Sequence, residues 1–74
     1  MERQPVTSSN IRGIGYDPKS QTLEIEFHGT GIYQYFKVPQ SVYNALMSAS
    51  SLGSYFARHI KGRFRWAKVK KGDK

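Results

Sequence analysis

Glu24 and Glu26 stand two residues apart in Leu23-Glu24-Ile25-Glu26-Phe27. On an alternating strand both carboxylates would share one face, roughly 7 Å apart by strand rise. Paired carboxylates are the tools of glycoside hydrolysis, but that chemistry also needs a cleft that pushes one pKa away from the other. A small exposed sheet face supplies none, so a solvated strand face is expected. His28 and His59 are the two histidines, and there is no cysteine. A metal centre asks for three or four ligands at workable spacing, and no third ligand accompanies this pair. Neither a metal nor a cofactor is expected. Ser8, Ser9, Ser50, Ser51 and Ser54 lack a base partner or a nucleophile elbow and suit caps and turns. Gly29-Thr30-Gly31 lacks the Lys-Ser/Thr ending of a phosphate loop and reads as a hairpin turn. No catalytic residue emerges, and an enzyme is not expected.

The remaining chemistry is electrostatic. The net charge is +7. Residues 1–57 carry Arg3, Arg12, Lys19 and Lys37 against Glu2, Asp17, Glu24 and Glu26, which sum to zero. Residues 58–74 carry Arg58, Lys61, Arg63, Arg65, Lys68, Lys70, Lys71 and Lys74 against Asp73 alone, so the whole excess lies there. Such asymmetry points to a polyanion. Arg58, Lys61, Arg63, Arg65 and Lys68, with Trp66 among them, combine phosphate contacts with a stacking ring, as nucleic-acid binding requires. Arg58 and Lys61, three apart, would share a helix face. The expected partner is nucleic acid, RNA before DNA. The alternative is a protein–protein interaction adaptor of bacterial or phage origin with no nucleic-acid role. A plainer alternative is a basic tail that aids solubility while Phe64 and Trp66 seal the core. A membrane-surface role lacks the free apolar helix face it would need.

Tyr33 and Tyr35 form a second candidate. On a sheet face they resemble the aromatic platforms that stack unpaired bases. The competing reading, preferred here, packs them beneath helices, because burying the opposite face would bury Gln34.

The elements that position these groups follow from period and punctuation. The chain has 74 residues, enough for one small domain. A loose N-terminal arm is expected over residues 1–8, a single domain over 9–67 and a basic C-terminal tail over 68–74. Asn10 to Tyr16 suits a strand in which Ile14 and Tyr16 share one face while Ile11, Gly13 and Gly15 share the other. Its two glycines suggest a bulge or a close backbone approach. Asp17-Pro18-Lys19-Ser20 is turn chemistry. Thr22 to His28 alternates Leu23, Ile25 and Phe27 inward, and Ile32 to Val38 makes a third strand. Pro39 opens a helix carrying Val42, Ala45, Leu46 and Ala49. Ser50-Ser51 can cap a second, with Leu52, Phe56 and Ile60 four apart and Gly62 at its end. Phe64 to Val69 allows a short fourth strand. The fold class is therefore α+β: a three-stranded antiparallel β-meander followed by two short helices, with a short C-terminal strand possible. No apolar run reaches the ~18 residues of a membrane span, and Met1-Glu2-Arg3-Gln4-Pro5 is not a signal peptide. A cytoplasmic monomer is expected.

Ser9-Asn10-Ile11, Gly15-Tyr16-Asp17, Leu23-Glu24-Ile25-Glu26-Phe27, Tyr33-Gln34-Tyr35, Val38-Pro39, Val42-Tyr43 and Gly53-Ser54-Tyr55-Phe56, in that order and spacing, resemble the KTSC family. The family is named for the lysyl-tRNA synthetase C-terminal domain and also occurs as small stand-alone proteins. The resemblance runs from about Ser8 to about Arg63, with the family's Tyr-x-Tyr on Tyr33 and Tyr35. It implies no catalytic residue and no lysylation. It implies RNA binding, with tRNA as one candidate RNA, only through the synthetase connection.

Overall fold

The computed structural model describes residues 3–69. The elements are β1 (Gln4–Pro5), β2 (Ile11–Asp17), β3 (Thr22–Phe27), β4 (Gly31–Tyr35), α1 (Gln40–Ser48), α2 (Leu52–His59) and β5 (Trp66–Val69). All strand pairs are antiparallel, in the order β1-β2-β3-β4-β5. The class is α+β as expected, but the expected meander is only the middle of a five-stranded sheet.

Two chain boundaries differ from expectation. Gln4 and Pro5, expected in a loose arm, form β1, with Gln4 opposite Ile14 and Pro5 opposite Gly13. A proline is tolerated there because β1 is an edge and no neighbour needs its missing N–H. Lys68 and Val69, assigned to a basic tail by the expected domain division but lying within the short strand allowed for Phe64 to Val69, belong to β5 and face Tyr33 and Ile32. The rest of that tail, Lys70 to Lys74, lies outside the described residues, as do Met1 and Glu2.

The glycine-rich strand carries a bulge. The β2–β3 register shifts between Ile11, which faces Phe27, and Gly13, which faces Glu26. The extra residue breaks the alternation. Ile11 therefore lies buried in one cluster with Ile14, not on the opposite face as strict alternation had it.

Both turns and caps follow the local chemistry. The Asp17 carboxylate accepts from the Lys19 backbone N–H at 3.0 Å and the Ser20 hydroxyl at 3.0 Å, closing the β2–β3 turn. Gly29 (φ 79°) and Gly31 (φ 109°) carry the β3–β4 turn through backbone that L side chains rarely adopt. Pro39, expected at the first helical position, is instead the N-cap of α1, which starts one residue later at Gln40. The Ser51 hydroxyl caps α2 by accepting from the Ser54 N–H at 3.3 Å. Beyond α2 the Ile60 and Lys61 N–H groups both donate to the Phe56 carbonyl, and left-handed Gly62 (φ 78°) turns the chain toward β5.

The helices cover one sheet face. The core beneath them joins Ile11, Ile14, Leu23, Ile25, Tyr35, Val38, Leu46, Phe56 and Ile60. Of the helix-1 positions expected inside, Leu46 is fully buried, Val42 and Ala49 are half-buried and Ala45 is exposed, because α1 lies at the margin of the sheet. There Tyr43 stacks on Tyr16 at 4.7 Å, and the Tyr16 hydroxyl donates to the Val38 carbonyl. No helix among the described residues is long and apolar enough to cross a membrane.

Candidate functional site

The uncovered sheet face is polar, and its chemistry is already spent. Glu24 is 5% exposed, not solvated as the alternation suggested. Arg3, delivered by the N-terminal segment, donates through Nη1 to Glu24 Oε2, and Gln34 Nε2 donates to Glu24 Oε1 at 2.8 Å. Arg3 Nε also lies 3.3 Å from Glu26 Oε1, and Arg12 Nη1 lies 3.8 Å from Glu26 Oε2. Two carboxylates neutralised by guanidinium groups are structural ion pairs, without the cleft that acid–base work demands. Gly13 packs against the same side chain: a Cβ added there would lie in ordinary contact with Arg3 Cβ, at 3.5 Å.

His28 and His59 stay apart from any such cluster. Both are exposed, and the His59 ring lies 4.4 Å from that of Tyr55. Among the described residues, no three of His, Cys, Asp and Glu could hold a metal ion together. A surface groove of about 560 Å³ runs between residues 6–10 and the helix connection, and its lining of serines, small side chains, Asn10, Met47 and Leu52 carries no charge.

The helix-covered face yields a different site at its β4–β5 end. Alternation along β4 puts Tyr33 and Tyr35 on this face, as expected from the cost of burying Gln34. Gln34 turns instead to Glu24 on the opposite face. Tyr35 is 5% exposed and meets Phe56 edge-on at 5.4 Å. Phe56 meets Phe27 at 5.3 Å, Phe27 meets Tyr33 at 5.6 Å, and Tyr33 meets Trp66 at 5.5 Å. These five rings run from the core to the surface, where Trp66 is 53% exposed. They wall a notch of about 310 Å³, completed by Thr30, Lys61 and Gly62. Edge-to-face and tilted contacts at these separations suit the ring quadrupoles and fix the walls in place. Burial, and secondarily the neighbouring Tyr33, pushes the Tyr35 hydroxyl up to about 12.

The cations gather around this notch unevenly. Lys61 lines it. It lies beyond α2, which ends at His59, so it does not share a helix face with Arg58 as the spacing suggested. Lys68 Nζ stands 5.8 Å from the Tyr33 ring centre, placed there because Lys68 faces Tyr33 in the β4–β5 register. Arg58, Arg63 and Arg65 are exposed on α2 and on the segment leading into β5. Arg65 anchors its stretch of backbone, since its carbonyl accepts from the Phe36 N–H at 2.8 Å. Trp66 thus does not seal the core; Phe64, half-buried against it, contributes to that. Phe27 and Phe56 as notch walls escaped the sequence reading, for which both were ordinary core positions. The tyrosine pair, Lys61 and Trp66 were the signals pointing there.

Known proteins share this fold over most of the chain. The family model of the KTSC domain matches residues 7–64. The notch residues Phe27, Tyr33, Tyr35, Phe56 and Lys61 fall within that span; Trp66 and Lys68 fall beyond it. The chain is 44% identical over 61 residues to an uncharacterised protein of Stutzerimonas stutzeri, covering 82% of this chain and 86% of that protein. It is likewise 44% identical over 61 residues to a lysine–tRNA ligase of a Nostoc species, covering 82% of this chain but 11% of the ligase. Among solved structures, a KTSC domain protein of Yersinia pestis superposes with a TM-score of 0.92 at 48% identity, over 93% of this chain and 97% of that one.

Proposed function

The chain belongs to the KTSC domain family, and from that premise we propose that it is a small, non-enzymatic cytoplasmic module that binds RNA through its C-terminal basic segment. One observation carries the reading. Residues 58–68 contain five cations and no acid, and Arg58, Lys61, Arg63, Arg65 and Lys68 are all exposed. The glutamates of the open sheet face are meanwhile engaged by Arg3 and Arg12. Exposed guanidinium and ammonium groups beside an exposed indole are suited to phosphates and bases together. Relatives named lysine–tRNA ligase match 61 residues of this chain, which favours RNA over DNA and tRNA among RNAs.

The test is an anisotropy titration with tRNA, single-stranded RNA and duplex DNA at low and high salt. Phosphate neutralisation releases counterions, so affinity should fall steeply as salt rises. A protein-interaction adaptor would instead leave all three nucleic acids unbound.

A further inference from the structure

Resting on the RNA reading, we infer that the aromatic notch between β4, β5 and the α2–β5 connection receives a single unpaired nucleobase. The base stacks against Trp66 and Tyr33, and its flanking phosphates meet Lys61 and Lys68. The basic segment alone accounts for phosphate contact; the notch adds a reason for the strand to be single.

Size comes first. At about 310 Å³ the notch stands at the small end of ligand sites, which run from roughly 300 to 1,000 Å³. It suits one planar group and not a stack of them. Its walls are preorganised. Phe56 and Tyr35 are held in the core, Phe27 packs edge-on to Phe56, and Tyr33 packs edge-on to Phe27. Only the outermost ring, Trp66, is widely exposed, so little side-chain freedom is lost when a base enters.

Charge then selects among planar or apolar ligands. Aromatic notches also capture cations, by attraction to the ring faces. Here Lys61 lines the wall and Lys68 already stands over the Tyr33 ring, so an incoming cation is repelled. An anionic chain with a flat ring attached satisfies both features, and single-stranded RNA is such a chain. In a duplex the bases remain stacked on one another and cannot reach the floor of the notch.

Trp66 is the one tryptophan of the chain, so its fluorescence reports on the notch without interference. The intact protein would be titrated with a short single-stranded RNA oligonucleotide, with the same oligonucleotide made abasic, and with an acidic peptide. The base-bearing RNA should quench Trp66 and bind more tightly than the abasic strand. Trp66→Ala, followed with a labelled oligonucleotide, should weaken binding roughly 5- to 150-fold, the worth of one stacked base, while leaving the salt slope at the parent value. Trp66→Phe should restore most of the loss. RNA binding without quenching, or equal affinity for the abasic strand, would overturn the notch while leaving the basic-segment reading intact. Equal quenching by the acidic peptide would overturn base recognition. An absence of RNA binding by the parent protein would overturn both.

Discussion

The rings of Tyr33 and Trp66 lie 5.5 Å apart across the β4–β5 pair, tilted by 57°. They meet diagonally, because the register sets Tyr33 opposite Lys68 and Tyr35 opposite Trp66. Diagonal neighbours on one face of an antiparallel pair are within reach of aromatic side chains. The contact joins Tyr33, within the family match, to a strand outside it, and it turns a buried ring cluster into one with a surface opening.

Phe56 is the hub of that cluster, touching both Phe27 and Tyr35. Phe56→Ala should cost about 3–5 kcal/mol through lost burial and the cavity left behind. That is comparable to everything a core of this size supplies. Urea or thermal unfolding of the variant checks it, and a melting curve matching the parent would remove Phe56 from the core.

Tyr35 is enclosed, whereas Tyr33 is half-buried beside Trp66. Replacing both by Leu should preserve the fold better than replacing both by Ser, since packing volume outweighs the hydroxyls here. Melting and RNA affinity measured on the same two variants distinguish a packing role from a stacking one. With the rings gone but the volume kept, the Leu variant should fold and bind RNA more weakly.

Alkaline pH gives an independent handle on Tyr35. Burial raises its hydroxyl to about 12, while an unfolded tyrosine ionises near ~10. Between those values the unfolded chain loses a proton that the folded chain keeps. The contribution of this group to stability is thus fully present below about pH 10 and is lost as the pH rises through the folded value. Tyr35→Phe should remove this part of the alkaline decline, and denaturant midpoints across the alkaline range would reveal it. An unchanged pH profile would mean that the hydroxyl is not buried.

Arg3 ties the N-terminal segment to the sheet through Glu24 and Glu26. Arg3→Ala should destabilise by about 1–3 kcal/mol, because it removes charge-assisted hydrogen bonds and leaves the buried Glu24 carboxylate with less support. Adding Glu24→Gln to that variant should recover part of the loss, and thermal melts of both proteins measure it.

Much of the fold was written in local pattern. Leu23-Glu24-Ile25-Glu26-Phe27 announces its strand, Ser51 its cap and Gly62 its exit, because each rests on period or turn chemistry that neighbours in sequence decide. What stayed hidden depends on distant partners. Gln4-Pro5 becomes a strand only because β2 offers an edge, and Glu24 is buried only because Arg3 arrives from 21 positions away. The bulge was foreshadowed by Gly13 and Gly15, but its consequence, bringing Ile11 to the core side, needed the register. For the site, the clustering of Arg58, Lys61, Arg63, Arg65 and Lys68 was legible as a count. That Lys61, Trp66 and Lys68 meet around Tyr33 was not, because the β4–β5 pairing spans the two helices.

The proposed RNA contact rests on the exposed cations of residues 58–68. The most direct measurement is the affinity of single-stranded RNA, over a salt series, for the parent and for a folded variant with Arg58, Lys61, Arg63 and Arg65 replaced by Ala. All four side chains are exposed, so the variant should melt near the parent temperature. Its binding should be weaker, and the slope of log affinity against log salt should flatten by about 0.7 for each phosphate contact removed. A folded variant with parental affinity and parental slope would contradict the claim.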